Sequence, residues 1–155
     1  MHLALRSLFV ACGLSIPLTS VWADEWVSVF DGKTLAGWKA NEKPESFSVE
    51  NGEAQINTSF AKDPRKTGSL VDVKDLDTSP VEDNQWFEFH LVVQGKRIIV
   101  NINGKPCVDY TEEDKPVRKK GRKERLLSHG PIALQAHDPE STTFFRNLQI
   151  KKLSD

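Results

Sequence analysis

Three polar side chains alternate along one short stretch of the chain, and their types suit binding of a hydroxyl-rich ligand. They are Glu53, Gln55 and Asn57. Successive side chains of a β-strand point to opposite faces, so a strand here would line up one carboxylate and two amides. These groups offer hydrogen-bond donors and acceptors at fixed spacing. A solvated strand face is the simpler interpretation of the pattern alone, and the ligand-binding interpretation stays open beside it.

The element that must position these side chains is a tight hairpin. Residues 47–50 read as a strand, and Asn51-Gly52 is the residue pair typical of a two-residue hairpin turn. We therefore predict strands over 47–50 and 53–57, joined directly at Asn51 and Gly52.

The rest of the pattern predicts an all-β sandwich. Period-2 runs bounded by Gly, Pro, Asn and Asp recur, while helical periodicity is nearly absent. Residues 86–110 predict a three-stranded antiparallel meander that turns at Gly95-Lys96 and Asn103-Gly104. Its first strand has one apolar face, formed by Phe87, Phe89, Leu91 and Val93. Further strands are predicted over 26–30, 132–137 and 142–152, which together give a sandwich.

The first 23 residues have the organisation of a secretory signal peptide. His2 and Arg6 precede an apolar run, and small residues around Trp22 provide a cleavage site ending at Ala23. The apolar run is shorter than the about 20 residues that a membrane-spanning helix needs. We expect one exported domain over 24–155, periplasmic or extracellular, with no membrane span and no lipid anchor at Cys12.

The composition argues against several kinds of partner. The chain has 21 Lys and Arg against 22 Asp and Glu, and this balance argues against a nucleic-acid partner. Cys107 is the only cysteine after Ala23, so no intramolecular disulfide is expected, and we interpret Cys107 as a buried apolar side chain. The charged stretch 112–125 mixes both signs and lacks aromatic residues, so we interpret it as a solvated loop.

No sequence motif predicts a metal or a nucleotide cofactor. His90, His129 and His137 lack ligand spacing, and no HxxxH, CxxC, nucleophile elbow or phosphate-binding loop occurs. We predict no cofactor. An ordinary glycosidase site with two carboxylates stays open, because the sequence does not show which acidic residues converge.

A series of sequence blocks follows the order found in a known family. The blocks include VFDGKTLAGW at 29–38, EAQIN at 53–57 and DPRKTGSL at 63–70. They continue with QW at 85–86, VNING at 100–104, GPIALQAH at 130–137 and FRNL at 145–148. The chain thereby resembles the 3-keto-disaccharide hydrolase family. The resemblance implies a concanavalin A-like or laminin G-like jelly roll.

The resemblance also implies a reaction. Such enzymes cleave glycosides already oxidised at C3 of the sugar, where the ketone acidifies the proton on C2. A base removes this proton, the C1 substituent leaves from the enolate, and water adds to the unsaturated sugar. The route needs a base with a pKa near the working pH and donors for the enolate oxygen, but no carboxylate nucleophile.

Specific side chains are implied by the matching blocks. His137, at the end of LQAH, is the expected base because imidazole titrates in the right range. Glu53 is expected to act as a second acid/base or to accept a sugar hydroxyl. Substrate-binding roles are expected for Gln55, Asn57, Gln135, Arg65, Lys66 and Trp38. Each role has a simpler alternative. His137 would be a histidine at the edge of a loop, and Arg65 and Lys66 would belong to a basic surface turn. The tryptophans would pack in the core, and for Trp86 we favour this interpretation.

The junction at Gly52 departs from the family pattern. In the family several strands, one of them resembling NSGIxxR, separate the ENG motif from GxExQIN, whereas here Glu50-Asn51-Gly52 runs directly into Glu53. We expect an incomplete jelly roll whose exposed sheet edges could self-associate. The alternative function is a non-catalytic carbohydrate-binding or interaction β-sandwich, or a truncated, inactive member of the family.

Overall fold

A computed structural model describes residues 25–41, 43–57, 65–135 and 142–154, and for residues 55–57 it describes the backbone only. Within these ranges the chain forms eight β-strands and one 3₁₀ turn, Pro44–Ser46, with no α-helix. The strands are β1 Val27–Ser28, β2 Phe47–Glu50, β3 Glu53–Asn57, β4 Phe89–Gln94, β5 Arg97–Ile102, β6 Lys105–Thr111, β7 Thr142–Phe145 and β8 Gln149–Ile150. The all-β prediction is confirmed.

The strands form three small antiparallel sheets. Their orders are β1-β8, β2-β3-β7 and β4-β5-β6. The last of these is the meander predicted from the sequence, with β5 in the centre and both turns where they were expected. Asn103 and Gly104 have φ values of 49° and 73°, the left-handed pair that a type I′ hairpin turn requires.

The predicted hairpin around Asn51 is also confirmed. Glu50 pairs with Glu53, so β2 and β3 are joined by a two-residue turn. Asn51 and Gly52 have φ values of 51° and 84°, again the combination of a type I′ turn. The junction that departs from the family pattern therefore folds as a regular hairpin. On its other edge β3 pairs with β7, so β3 is the central strand of its sheet.

The core lies mainly against one face of the meander. The buried apolar residues among those described are Phe30, Ala54, Ile98, Val100, Ile102 and Val108. Residues 65–77 contact this face through Gly68, which is buried and has a φ of 88°. A Cβ on Gly68 would lie 3.4 Å from Leu76 Cδ1 and 3.5 Å from Ile102 Cγ1. Glycine therefore permits both the backbone conformation and the close approach of this loop to the sheet.

The strand predicted over 142–152 is interrupted in the structure. β7 ends at Phe145 and β8 begins at Gln149, and between them Asn147 has a φ of 54°. A left-handed residue turns the backbone out of the extended conformation, so the ladder with β3 ends at β7. The chain then pairs with β1, which is shorter than predicted, and the Val29 amide donates to the Leu148 carbonyl at 2.9 Å.

The prediction of a strand over 132–137 is wrong for its described part. Residues 131–135 form no strand, and Ile132 is 65% exposed. Pro131 has no amide hydrogen to donate, and none of the described strands pairs with this segment. Ala136 and His137 lie outside the described residues.

Two further expectations concern single side chains. Trp86 is 48% exposed, so the interpretation of Trp86 as a core residue is wrong. It lies in the segment before β4, beyond the paired part of the meander, where no described strand covers it. Cys107 is a free thiol and is half-buried rather than buried. Over the described ranges no helix has the length and apolar character needed to cross a membrane.

Candidate functional site

A carboxylate and a guanidinium meet where β3 begins and β7 ends. Ala54 pairs with Phe145 in the ladder, so Glu53 and Arg146 occupy the next pair of positions along it. Glu53 Oε1 lies 3.5 Å from Arg146 Nη1. The side chain of Glu53 is 23% exposed and that of Arg146 is 48% exposed, so the ion pair is open to solvent on the guanidinium side.

The indole of Trp86 completes this group. Arg146 Cζ lies 4.0 Å from the centroid of the Trp86 ring, within the range of a cation–π contact. Arg146 therefore links the β2-β3-β7 sheet to the segment that leads into β4. Trp86 also lines an open cleft of about 360 Å³ together with Gln85, Glu82 and Asn103. We call Glu53, Arg146 and Trp86 the hairpin site.

The hairpin site combines three chemical functions in one place. Glu53 can accept hydrogen bonds, Arg146 can donate them to a planar or anionic oxygen, and the half-exposed Trp86 can contact an apolar ring face. A polar ring with both hydroxyls and a C–H face, such as a sugar, matches this combination. The arrangement therefore fits a carbohydrate better than a purely apolar ligand.

The sequence patterns did not single out Arg146 as a candidate site residue. The residue belongs to the FRNL block, but its role depends on the pairing of β3 with β7, which brings together residues far apart in the chain. A usable signal was the alternation around Phe144 and Phe145. Arg146 directly follows these two phenylalanines. If this strand pairs with the strand that carries Glu53, opposite charges on neighbouring strands are expected to form an ion pair.

The predicted amide ligands lie partly outside what the structure describes. Gln55 and Asn57 occupy alternate backbone positions of β3 after Glu53, opposite Phe144 and Thr142. Their side chains lie outside the description, as does His137. Gln135 is exposed and belongs to no strand.

Trp38 and Lys66 have structural contacts of their own. Trp38 is half-buried, and its Nε1 donates a hydrogen bond of 2.9 Å to the Val29 carbonyl, which ties the Gly37 turn to the end of β1. Lys66 is half-buried in a turn, where its carbonyl accepts a hydrogen bond of 3.0 Å from the Ser69 amide.

Arg65 belongs to a second charged cluster, centred on Asp72. The carboxylate of Asp72 is surrounded by four basic side chains. They are Arg65 at 3.6 Å, Lys119 at 3.4 Å, Arg122 at 2.9 Å and Arg125 at 3.9 Å. Three of the four come from the charged stretch 112–125, which therefore packs onto residues 65–77.

The interpretation of 112–125 as a solvated loop is consequently wrong for its arginines. Arg122 and Arg125 are half-buried, and the side chain of Arg118 is only 7% exposed. Arg118 donates to the Arg125 carbonyl, the Tyr110 hydroxyl and the Glu112 carboxylate. The physical reason is that acids at Asp72 and Glu112 neutralise the basic residues and allow them to be buried.

The charge of Asp72 makes this packing pH-dependent. Burial raises the pKa of the carboxyl, but hydrogen bonds from Arg122 and Lys119 outweigh this effect and hold the pKa below its usual value of 3.8. A lowered pKa in the folded state stabilises the protein above the unfolded-state pKa. This contribution is lost as the pH falls through the folded-state pKa.

We therefore expect Asp72→Asn to lower the midpoint of thermal unfolding at pH 7, and this deficit should shrink progressively as the pH is lowered below 3.8. Asp77→Asn, at an exposed aspartate near Asp72, is the matched control and should change little over the same pH range. Thermal unfolding followed by circular dichroism measures both. A deficit of Asp72→Asn that does not shrink at all as the pH falls below 3.8 would contradict the electrostatic origin.

The fold and the hairpin site define an all-β protein with a polar, solvent-open group of side chains at Glu53, Arg146 and Trp86. A family model described as a 3-keto-alpha-glucoside-1,2-lyase-like domain matches residues 48–151. The match spans about two thirds of the chain, and the protein belongs to this family. The resemblance seen in the sequence blocks is thereby confirmed. A search of curated proteins and a search of solved structures each found no match.

The family match covers some of the candidate residues and leaves others outside it. Glu53, Trp86 and Arg146 lie inside the matched range, whereas Trp38 and its FDGKTLAGW block precede it. Among the described residues, no three His, Cys, Asp or Glu side chains are grouped so that they could hold a metal ion.

Proposed function

We propose that the protein is an exported hydrolase of 3-keto-glycosides, built on a jelly roll that lacks one block of strands. The observation that carries the proposal is the hairpin site, where Arg146 lies between Glu53 and an exposed Trp86 inside the family-matched range. The reaction is the one implied by the family: abstraction of the C2 proton, elimination of the C1 substituent and hydration.

Arg146 supplies the positive charge that this reaction needs. When the C2–H bond breaks, its electron pair forms the C2–C3 double bond and negative charge develops on the C3 oxygen. A guanidinium held in place before the reaction stabilises that charge without reorganising. Glu53 supports this role because its carboxylate holds the Nη1 side of the guanidinium at 3.5 Å.

The following steps eliminate the C1 substituent and hydrate the sugar. As the C3 carbonyl re-forms, the pair shifts to make a C1–C2 double bond, and the bond from C1 to its oxygen substituent breaks. The leaving oxygen takes a proton from a general acid. Water then adds to C1, and C2 regains a proton, so the net reaction is hydrolysis of the glycosidic bond.

His137 is proposed as the base, on the resemblance of LQAH to the family motif. Glu53 is proposed as a second acid/base or as an acceptor for a sugar hydroxyl. Gln55, Asn57 and Gln135 are proposed to bind further hydroxyls, and Trp86 to lie against the C–H face of the sugar. Arg65, Lys66 and Trp38 are likewise proposed to bind the substrate, although Arg65 also pairs with Asp72 and the Trp38 indole donates to the Val29 carbonyl.

Export is proposed on the signal-peptide organisation of residues 1–23. Cleavage after Ala23 predicts that the exported protein begins at Asp24. Mass spectrometry of the protein from the secreted or periplasmic fraction measures this N-terminus.

The test of the proposed function is a product assay on a disaccharide oxidised at C3, beside the same disaccharide unoxidised. We expect the protein to release monosaccharide from the oxidised compound only. His137→Ala should lower kcat by about 10²–10⁴-fold, the usual contribution of a general base, while binding of the 3-keto-disaccharide is retained. His129→Ala, at an exposed histidine, is the matched control and should keep the parent rate.

Two outcomes would contradict the proposal. Equal cleavage of the unoxidised disaccharide would indicate an ordinary glycosidase. Binding of the 3-keto-disaccharide without cleavage by the parent protein would indicate the alternative, a non-catalytic carbohydrate-binding module, which the exposed Trp86 also suits.

A further inference from the structure

The first strand of the meander is an edge strand with an exposed row of apolar side chains. β4 pairs with β5 on one side, and none of the described strands pairs with its other side. Phe89 and Leu91 are each 52% exposed, Val93 is 43% exposed, and Phe87 just before the strand is 36% exposed. These four residues are called the β4 row below.

The β4 row lies on the same face of the sheet as the core. Phe89, Leu91 and Val93 oppose Ile102, Val100 and Ile98 in the ladder, and directly opposed residues share a face. The residues on β5 are buried, whereas their neighbours on β4 are half exposed. The described residues that cover the core face of β5 therefore do not extend over β4, and the outer flank of β4 is exposed to solvent.

The two edges of this sheet are protected very differently. β6, the opposite edge, contains Lys105, Pro106 and Asp109, and the ladder that joins it to β5 has a register shift at Val100. Charges, proline and bulges are the features by which edge strands avoid pairing with other chains. β4 has the sequence FHLVVQ, without a carboxylate, lysine, arginine or proline, and its ladder with β5 is regular.

We propose that β4 pairs antiparallel with β4 of a second copy, across a two-fold axis perpendicular to the sheet. The two meanders then form one continuous sheet of six strands. Pairing gives the outer amides and carbonyls of β4 their partners and covers the outer flank of the β4 row. An uncharged strand suits a second copy of itself because no like charges are brought together along it.

The spacing of the β4 row selects one register. Only when His90 lies opposite His90 of the second copy does every member of the row face another member. Phe87 then opposes Val93 of the second copy, and Phe89 opposes Leu91. Shifting the strands by two residues in either direction leaves at least one apolar residue opposite Gly95 or Gln85.

The first experiment measures mass as a function of concentration by sedimentation equilibrium on the protein expressed from the full-length chain. We expect a dimer for the parent and a monomer for Leu91→Lys at concentrations where the parent is dimeric. Val117→Lys, at an apolar residue that is 91% exposed in a loop, is the matched control and should stay dimeric. Circular dichroism should show the same strand content in all three.

A monomeric parent, a dimeric Leu91→Lys or an open-ended series of larger species would each overturn the proposal. A second measurement does not depend on the folding of the lysine variant. In a background with Cys12→Ser and Cys107→Ser, His90→Cys should form a disulfide-linked dimer on oxidation, because opposed strand residues have Cα–Cα distances of about 4.5–5.5 Å.

Val93→Cys is the control for this cross-link. In the proposed register the two copies of Val93 lie about 20 Å apart, six residues at about 3.3 Å each, so no disulfide should form between them. Rapid cross-linking through Val93→Cys and none through His90→Cys would overturn the register.

Discussion

Replacing Arg146 by alanine is expected to lower kcat on a 3-keto-disaccharide by about 10²–10³-fold, the usual effect of removing one donor to a developing oxyanion. The reason is that the charge on the C3 oxygen appears only as the C2 proton leaves. The loss should therefore fall on kcat and on kcat/KM equally, with KM nearly unchanged. Arg146→Lys keeps the charge but loses the planar fork and the stacking on Trp86, so it should recover only part of the rate.

Steady-state kinetics and thermal unfolding, measured on the same variants, distinguish stabilisation of the enolate by Arg146 from a purely structural role. Arg97→Ala removes another exposed arginine of an ion pair, the one with Asp109, on a different sheet, and is the matched control. It should leave kcat at the parent value. A rise in KM with kcat unchanged in Arg146→Ala would show that Arg146 binds the ground state and takes no part in stabilising the enolate.

Replacing Arg118 by alanine is expected to lower the free energy of unfolding by about 3–5 kcal/mol, the effect of breaking a buried ion pair by removing one partner. Arg118 and Glu112 are 7% and 12% exposed, so the carboxylate would be left buried without its main counter-charge. The Tyr110 hydroxyl and the Arg125 carbonyl would lose a donor as well.

Urea unfolding at pH 7 measures this change. Lys96→Ala removes one partner of the exposed pair with Asp114 and should change the stability little, because solvent screens such pairs. Replacing both partners, as Arg118→Met with Glu112→Leu, should recover much of the loss, since no buried charge is then left unpaired. A double variant less stable than Arg118→Ala would show that the ion pair itself, rather than the orphaned acid, determines the result.

Turn residue pairs and alternating apolar residues predicted the two hairpins, whose conformation depends on residues close together in the chain. Asn51-Gly52 and Asn103-Gly104 both form the turns that their residue types favour, because these residues tolerate positive φ values. The alternation between these turns fixed β2 to β6 with nearly their observed bounds. The resemblance of the sequence blocks then identified the family.

Contacts between distant parts of the chain were not predicted. Asp72 binds Lys119 and Arg122, which are 47 and 50 positions away, so composition alone made the basic stretch look solvated. Arg146 meets Glu53 because β7 pairs with β3, a pairing between distant segments that no local pattern shows. Trp86 is half exposed because no strand within the described ranges covers it, and no pattern around residue 86 indicates this.

The turn at Asn51 and Gly52 has a consequence for the history of the gene. Two residues suffice to reverse the backbone there, and all four residues of β2 pair with β3. Loss of an in-frame stretch of DNA between the two motifs would therefore leave a continuous reading frame that still encodes adjacent, hydrogen-bonded strands. Such a loss would also keep Glu53, directly after the turn, within 3.5 Å of Arg146.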